Sequence, residues 1–320
     1  MRGPAFTLYI ILSVSVTLAC SDRPTPAAPA GPTASAANRS ASSVTFTTIF
    51  FPGAAATFPL DMNDHGIVVG RYMAAGRTHG FVLDEAGVYT AIDYPGASFT
   101  VAGAINDSGT VVGWYILPAA PTVRHGFILD HDVFMAFDPP GSTFTNPLGI
   151  NARRDIAGRF CTKAQCRQPG NGDFQGFILH DGRFDIINVP DAGETNAFKL
   201  NARDALVGGF SAPGGDEELF VFWNDAFSTF ALANGRSISQ DNGGINARGD
   251  IVGSYCDGPP PCLIAPTGTH GFELAGDGLT TIDYPGALST GALAINARGD
   301  IVGVYYDASG LPKGFVMSRR

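Results

Sequence analysis

The sequence predicts an all-β fold, a six-bladed β-propeller of four-stranded blades closed by the N-terminal strand, and three observations carry that prediction. An Asn-centred motif recurs six times: MNDHGIVVG at 62–70, INDSGTVVG at 105–113, INARRDIAG at 150–158, LNARDALVG at 200–208, and INARGDIVG at both 245–253 and 295–303. Successive copies are spaced from 43 residues (Asn63 to Asn106) to 50 (Asn151 to Asn201), room for four short strands, which is the spacing of a propeller blade. The final copy stops after three strands at GFVMSRR, while the domain opens with an unmatched strand, VTFTTIFFPG at 44–53. A ring closes if that strand lies beside residues 313–318, removing both exposed edges. An open solenoid would instead need capping repeats, which the sequence does not offer.

Each repeat reads as strands a to d. Strand a ends at the motif Asn and alternates, as in Leu60 and Met62 or Leu293 and Ile295. The Asn at the first turn position and the residue at the fourth, as in Asn106-Asp107-Ser108-Gly109, suit a type I turn closed by a left-handed residue. Strand b is the IVGxY run, with Gly70, Gly113, Gly158, Gly208, Gly253 and Gly303 each followed two residues on by an aromatic ring. Strand c carries a Phe within an apolar run, as in HGFVL at 79–83 and HGFILD at 125–130, and strand d is the segment TIDYPGA at 281–287 and its counterparts. A Gly inside a strand marks a bulge or the close approach of another backbone, expected here from the neighbouring blade. The recurrent Phe and Tyr are expected to fill the space between blades.

Composition agrees with this fold. The chain has 320 residues, 45% apolar side chains, 41 Gly and 22 Pro, enough for a large core but too rich in turn formers for a helical one. Its net charge of −9 opposes phosphate binding and argues against a nucleic-acid partner.

Three segments follow from the sequence: residues 1–19, 20–43 and 44–320. Residues 1–20, MRGPAFTLYIILSVSVTLAC, have one charge, an apolar run too short to span a membrane, and small Ala19 before Cys20, the form of an export signal. The ending resembles a bacterial lipobox, with Thr17 where Leu is usual, and this resemblance implies lipidation of Cys20; ordinary cleavage beside an incidental Cys is the other reading. Residues 21–43, rich in Pro, Ala and Ser, lack large apolar side chains and read as a disordered tether.

The INxxGxIVG motif combined with His-small-Phe resembles the bacterial extracellular HAF-repeat family, with Gly for Ala in the HGF of His79, His125 and His270. The resemblance covers residues 44–318 and implies architecture and export, with no activity to transfer.

All variation in repeat length between the strand b Gly and the strand c Phe falls in the b–c loops, from 11 residues (Gly70 to Phe81) to 19 (Gly158 to Phe177 and Gly253 to Phe272). Variable loops on a fixed scaffold are where binding is usually placed. Together with the d–a crossings they mark one face as the candidate for a protein or glycan partner, with Asp93, Tyr94, Asp138, Asp283 and Tyr284 as ligand contacts; bonding of turn amides is the alternative for these side chains. Cys161 with Cys166 and Cys256 with Cys262 sit in the two longest loops and read as local disulfides in an oxidising compartment, not as a zinc site, for which neither spacing is tight enough. On the opposite face Arg153, Arg203, Arg248 and Arg298 are candidates for a cationic ring that attracts an anion, unless Asp155, Asp204, Asp250 and Asp300 neutralise them.

The repeated His residues read as structural hydrogen-bonding groups, and no metal or cofactor motif is found: PGNGDFQG fails GxGxxG, and HExxH and GxSxG are missing. The strand a positions expected to face the axis are Ala104, Gly149, Gly244 and Ala294, with Asp61 and Lys199 the only charges. That pattern favours an exported, monomeric binding or scaffold module, in the cell envelope or secreted, meeting the membrane only through its lipid anchor. The alternative is an extracellular hydrolase or lyase acting on polysaccharide at the axis.

Overall fold

Val, Ile, Thr, Phe and Tyr dominate the repeats between turn-forming Asn, Asp and Gly, and such residues favour the pleated, half-buried surface of a strand. In the computed structural model the described residues run from 43 to 319, except 165, 167–173, 214, 216, 233–236, 240–242, 258–261, 263–267 and 277. The signal segment, Cys20 and the tether to residue 42 lie outside them. Among the described residues there are strands and turns and no helix.

The chain opens with β1 (Val44–Ile49). Repeat one follows as β2 (Ala56–Met62), β3 (Val68–Ala74), β4 (Arg77–Leu83) and β5 (Tyr89–Ile92); repeat two as β6 (Phe99–Ile105), β7 (Val111–Ile116), β8 (His125–Asp130) and β9 (Val133–Phe137). Repeat three holds β10 (Phe144–Ile150), β11 (Ile156–Cys161), β12 (Gln175–His180) and β13 (Arg183–Ile187), and repeat four β14 (Thr195–Leu200), β15 (Leu206–Ser211), β16 (Glu217–Trp223) and β17 (Ala226–Phe230). In repeat five the first strand is split into β18 (Ser237–Ile238) and β19 (Gly244–Ile245), before β20 (Ile251–Cys256), β21 (Thr269–Ala275) and β22 (Gly278–Ile282). Repeat six supplies β23 (Ser289–Ile295), β24 (Ile301–Tyr306) and β25 (Pro312–Arg319).

Within each repeat the strands pair antiparallel in chain order, giving a β-propeller arrangement of four-strand ladders. Hydrogen bonding joins them into five sheets, where the sequence predicts six. The difference comes from one parallel bridge, Thr78 in β4 to Phe99 in β6, which fuses the first two ladders into an eight-stranded sheet. A similar bridge links Arg124 to Phe144 between repeats two and three. β1 pairs antiparallel with β25, Val44 opposite Arg319 through Ile49 opposite Gly314.

The strand b glycines have a cause other than the expected neighbouring backbone. A Cβ on Gly113 would lie 2.0 Å from Val101 O and 2.8 Å from the Phe127 ring, both in its own sheet. Strand a bulges at this level, between Ala102 and Ala104 in repeat two and at the equivalent place in repeats one, three, four and six. The bulge presses a carbonyl toward the Gly, and the strand c Phe lies across it. Phe81, Phe127, Phe177, Phe220, Phe272 and Phe315 are all fully buried in this way.

The larger apolar clusters draw residues from more than one repeat. Val69 of repeat one packs with Ile105 and Phe127 of repeat two, and Val252 of repeat five packs with Ile301 and Phe315 of repeat six. Ala294 and Val302 of repeat six pack with Ile49 of β1 and with Met62, Val68 and Phe81 of repeat one. The Pro59 ring also stands against Gly314, so close that a Cβ there would lie 2.5 Å away.

Candidate functional site

At one end of the repeats the six motif asparagines, Asn63, Asn106, Asn151, Asn201, Asn246 and Asn296, line a single pocket of about 120 Å³. Each folds its own turn: Asn296 Oδ1, for example, accepts the N–H groups of Arg298 (3.0 Å) and Asp300 (2.9 Å). A buried amide has donors left over. Asn63 Nδ2 donates to Asn106 O (3.2 Å), Asn106 to Asn151 O (3.1 Å), Asn201 to Asn246 O (3.0 Å) and Asn246 to Asn296 O (3.3 Å). Asn151 turns its donor to Asp155 instead (2.8 Å). The residue closing each turn has the expected left-handed backbone, including Arg154 and Asp204, where no Gly is present. The sequence shows the recurrent Asn; that its side chain joins neighbouring repeats requires the third dimension.

The turn arginines do not gather at this pocket. Arg153 pairs with Asp155 (3.1 Å) and with Asp204 of the following repeat. Arg248 Nε donates to Asp250 (2.8 Å) and its Nη1 to Ala297 O, and Arg298 repeats this with Asp300 (2.9 Å) and Asp64 O. Asp64 Oδ1 also accepts the Ala297 N–H (2.7 Å). These three side chains are held by carboxylates and by the next turn, while the main-chain N–H of Arg203 donates to Asn201 Oδ1 (2.9 Å). Three of the four arginines of the expected cationic ring are therefore links between repeats. Asp155 also accepts from His180; burial pushes its carboxyl up, but His180, Asn151 and Arg153 outweigh this and hold it below its ordinary value.

Between the two ends lies one ion pair. Lys199 Nζ stands 2.8 Å from Asp61 Oδ2, with angles short of a hydrogen bond, and Asp61 Oδ2 accepts the Ile105 N–H (3.0 Å). Burial lowers the lysine pKa and Asp61 opposes that shift. The two residues occupy the same repeat position, two before the Asn, in repeats one and four.

The other end opens into a cavity of about 500 Å³, on the side of the b–c loops and d–a crossings that the sequence marks for binding. Among the described residues its charged lining is basic: Arg71, Arg124, Arg159 and Lys199, beside Phe58, Phe99, Trp114, Phe198 and Tyr306. Strand pairing builds it. Arg71 lies opposite Phe58, Trp114 opposite Val101 and Arg159 opposite Asn146. Aromatic faces fix the guanidinium groups: Arg71 lies 4.4 Å from the centre of Phe58, Arg124 3.5 Å from Trp114 and 4.0 Å from Phe144, and Arg159 4.8 Å from Phe174. Trp114 is stacked on its far side by Phe99 (4.8 Å). Arg159 Nη1 donates to Asn196 Oδ1 (3.0 Å). Burial lowers the Arg71 pKa, yet a guanidinium remains charged at any ordinary pH.

Sequence reasoning missed these residues, although a signal was present. The variable x of IVGxY is Arg71, Trp114 and Arg159 in repeats one to three but Gly209, Ser254 and Val304 in repeats four to six. A position that changes inside an invariant frame is free of scaffold duty.

The side chains expected to contact a ligand sit elsewhere. Asp93 meets His79 (2.9 Å), Asp138 meets His125 (2.7 Å) and Asp283 meets His270 (2.9 Å), tying strand d to strand c. Tyr94 stacks on Tyr115 (3.6 Å) and Tyr284 on Tyr305 (3.7 Å). None of the five lines the cavity. The repeated His thus has the structural role read from the sequence. Cys161–Cys166 and Cys256–Cys262 are disulfides, with Cα atoms 6.1 Å and 5.6 Å apart, as expected; a bonded pair of this kind is compatible with an exported protein.

No protein-family model and no curated protein matches the chain. Among solved structures it is similar to the β-propeller domain of the Trilobed protease from Pyrococcus furiosus, described as having an open velcro topology, at 12% identity and a TM-score of 0.51, over 85% of this chain and 82% of that one. It is similar to an Aleuria aurantia lectin mutant in complex with Fucalpha1-6GlcNAc at 10% identity and 0.50, over 86% and 96%. A streptogramin B lyase aligns at 13% identity and 0.48, over 87% and 98%. The first two likenesses, at this identity, show the β-propeller fold alone.

Proposed function

We propose that the chain is an exported, lipid-anchored binding module whose partner, a glycan or the side chains of a protein, docks in the wide cavity of a closed six-bladed propeller. Closure of the ring is supported by β1 beside β25, by the Asp64 bonds to Ala297 and Arg298, and by the apolar cluster joining repeat six to repeat one. The Asp61–Lys199 pair supports the count of six, because repeats one and four face one another only across a six-membered ring.

The observation that carries the function is the cavity of about 500 Å³, within the size range of ligand sites, holding basic groups already fixed by aromatic rings. A glycoside hydrolase canonically works through two converging carboxylates. Among the described residues no Asp or Glu lines this cavity, which therefore lacks such a pair there, and fixed basic and aromatic groups support binding. The test is a glycan and peptide array probed with the full-length protein. Retention of a ligand that the Trp114→Ala variant loses is the expected result; hydrolysis of a polysaccharide panel with no retention on the array would overturn it.

The anchor has its own test. Intact-mass measurement of protein extracted from membranes is expected to show a diacyl or triacyl adduct on Cys20, and an unmodified soluble form would refute it.

A further inference from the structure

Among the described residues the wide cavity is lined by Arg71, Arg124, Arg159 and the Asp61-paired Lys199 and by no carboxylate, in a chain whose net charge is −9. Three observations bear on what enters it. Arg71 lies flat over Phe58 and, among the described residues, has no carboxylate partner. Arg124 is held between the faces of Trp114 and Phe144, so its orientation is set before any ligand arrives. A guanidinium covered on its faces keeps its N–H groups in the plane, the geometry that matches a carboxylate through two parallel hydrogen bonds. The Asn146 side chain adds an amide to the same wall.

From this we infer that the cavity recognises an organic carboxylate, with Arg71 and Arg124 as the anion-binding groups and Trp114 as the platform that orients Arg124. The inference rests on the proposed reading of this cavity as the ligand site and adds the class of ligand. One chemistry has two sources here, a uronic acid unit of an acidic saccharide or a free polycarboxylic acid, and the experiment separates them.

The chain has two tryptophans, and Trp223 is exposed on β16, away from the cavity lining. In a full-length Trp223→Phe background Trp114 alone reports. Trigalacturonate, its neutral methyl ester and citrate are titrated in turn, by fluorescence and by calorimetry. Saturable binding of trigalacturonate with at least tenfold weaker binding of the ester is the expected result, and the affinity falls as salt is added. Arg71→Gln is expected to weaken binding about ten- to a hundredfold, the usual loss for a hydrogen bond to a charged group. Arg71→Lys should keep part of it, and Arg183→Gln, on the exposed outer strand β13, should keep all of it.

Citrate binding more tightly than trigalacturonate would assign the source to a free acid and still support carboxylate recognition. Equal affinity for ester and acid would overturn the carboxylate inference and leave the ligand cavity standing. Silence from all three probes in both measurements, alongside an array that retains a neutral ligand, would again overturn the inference alone; silence in every assay would overturn both.

Discussion

Replacing Lys199 by Met is expected to destabilise the protein by about 3–5 kcal/mol, the usual loss when one member of a buried ion pair is removed. The ammonium lies 2.8 Å from Asp61, and burial alone already favours its neutral form. Without it, Asp61 is left without its cationic partner in a place that water reaches poorly. Asp61→Leu should cost a similar amount and additionally leaves the Ile105 N–H without its acceptor, worth about 1–3 kcal/mol for a buried donor. The double variant, Lys199→Met with Asp61→Leu, should recover most of the loss apart from that orphaned N–H, since an apolar pair of similar volume is often as stable as a buried ion pair. Urea unfolding of the four proteins closes the cycle. Strictly additive losses would show that the two side chains do not interact, and their contact would lose its energetic meaning.

The same pair shows what repeat arithmetic reveals and what it hides. Aligning the copies places Asp61 and Lys199 at one position, and their charges stand out against Ala104, Gly149, Gly244 and Ala294. Their partnership follows only when repeats one and four are brought face to face. The turns were legible for a local reason: Asn and a left-handed fourth residue fix a tight hairpin whatever surrounds it. Even Arg154 and Asp204, with no glycine freedom, adopt that backbone. The bulge in strand a is not legible, because an extra residue in one strand changes no residue type, and a strand b Gly pressed by its own Phe and carbonyl looks in sequence like one that meets a neighbouring backbone.

The candidate site failed in the sequence for an instructive reason. Asp93, Asp138 and Asp283 attract notice because they recur, but recurrence marks what every repeat needs, and each of them is spent on the His of its own sheet. A site serving one ligand sits where the repeats differ. Arg71, Trp114 and Arg159 are such places, facing the cavity from strands whose pattern is otherwise constant. Alternation tells which face of a strand a residue occupies, not whether neighbouring sheets have parted there to leave a space.

Phe127→Ala is expected to cost about 3–5 kcal/mol, because truncating a fully buried ring loses its transfer free energy and leaves a cavity. Phe127 meets Phe134 edge-on (5.3 Å) and Tyr94 at 6.2 Å, and its ring lies over Gly113. Refilling from the Gly side does not work: a methyl on Gly113 would fall 2.0 Å from the Val101 carbonyl, so Gly113→Ala should destabilise both the parent protein and the Phe127→Ala variant. Phe272→Ala in repeat five should cost a similar amount and add to Phe127→Ala within about 0.5 kcal/mol, as expected for distant sites with no shared partners. Urea midpoints of the single and double variants provide the check. A loss below about 1 kcal/mol at Phe127 would mean that the facing sheets close over the gap. In that event the identical rings of the six repeats would fill space without fixing the distance between neighbouring sheets, and that distance would have to be set by the Asn and Arg links between the turns.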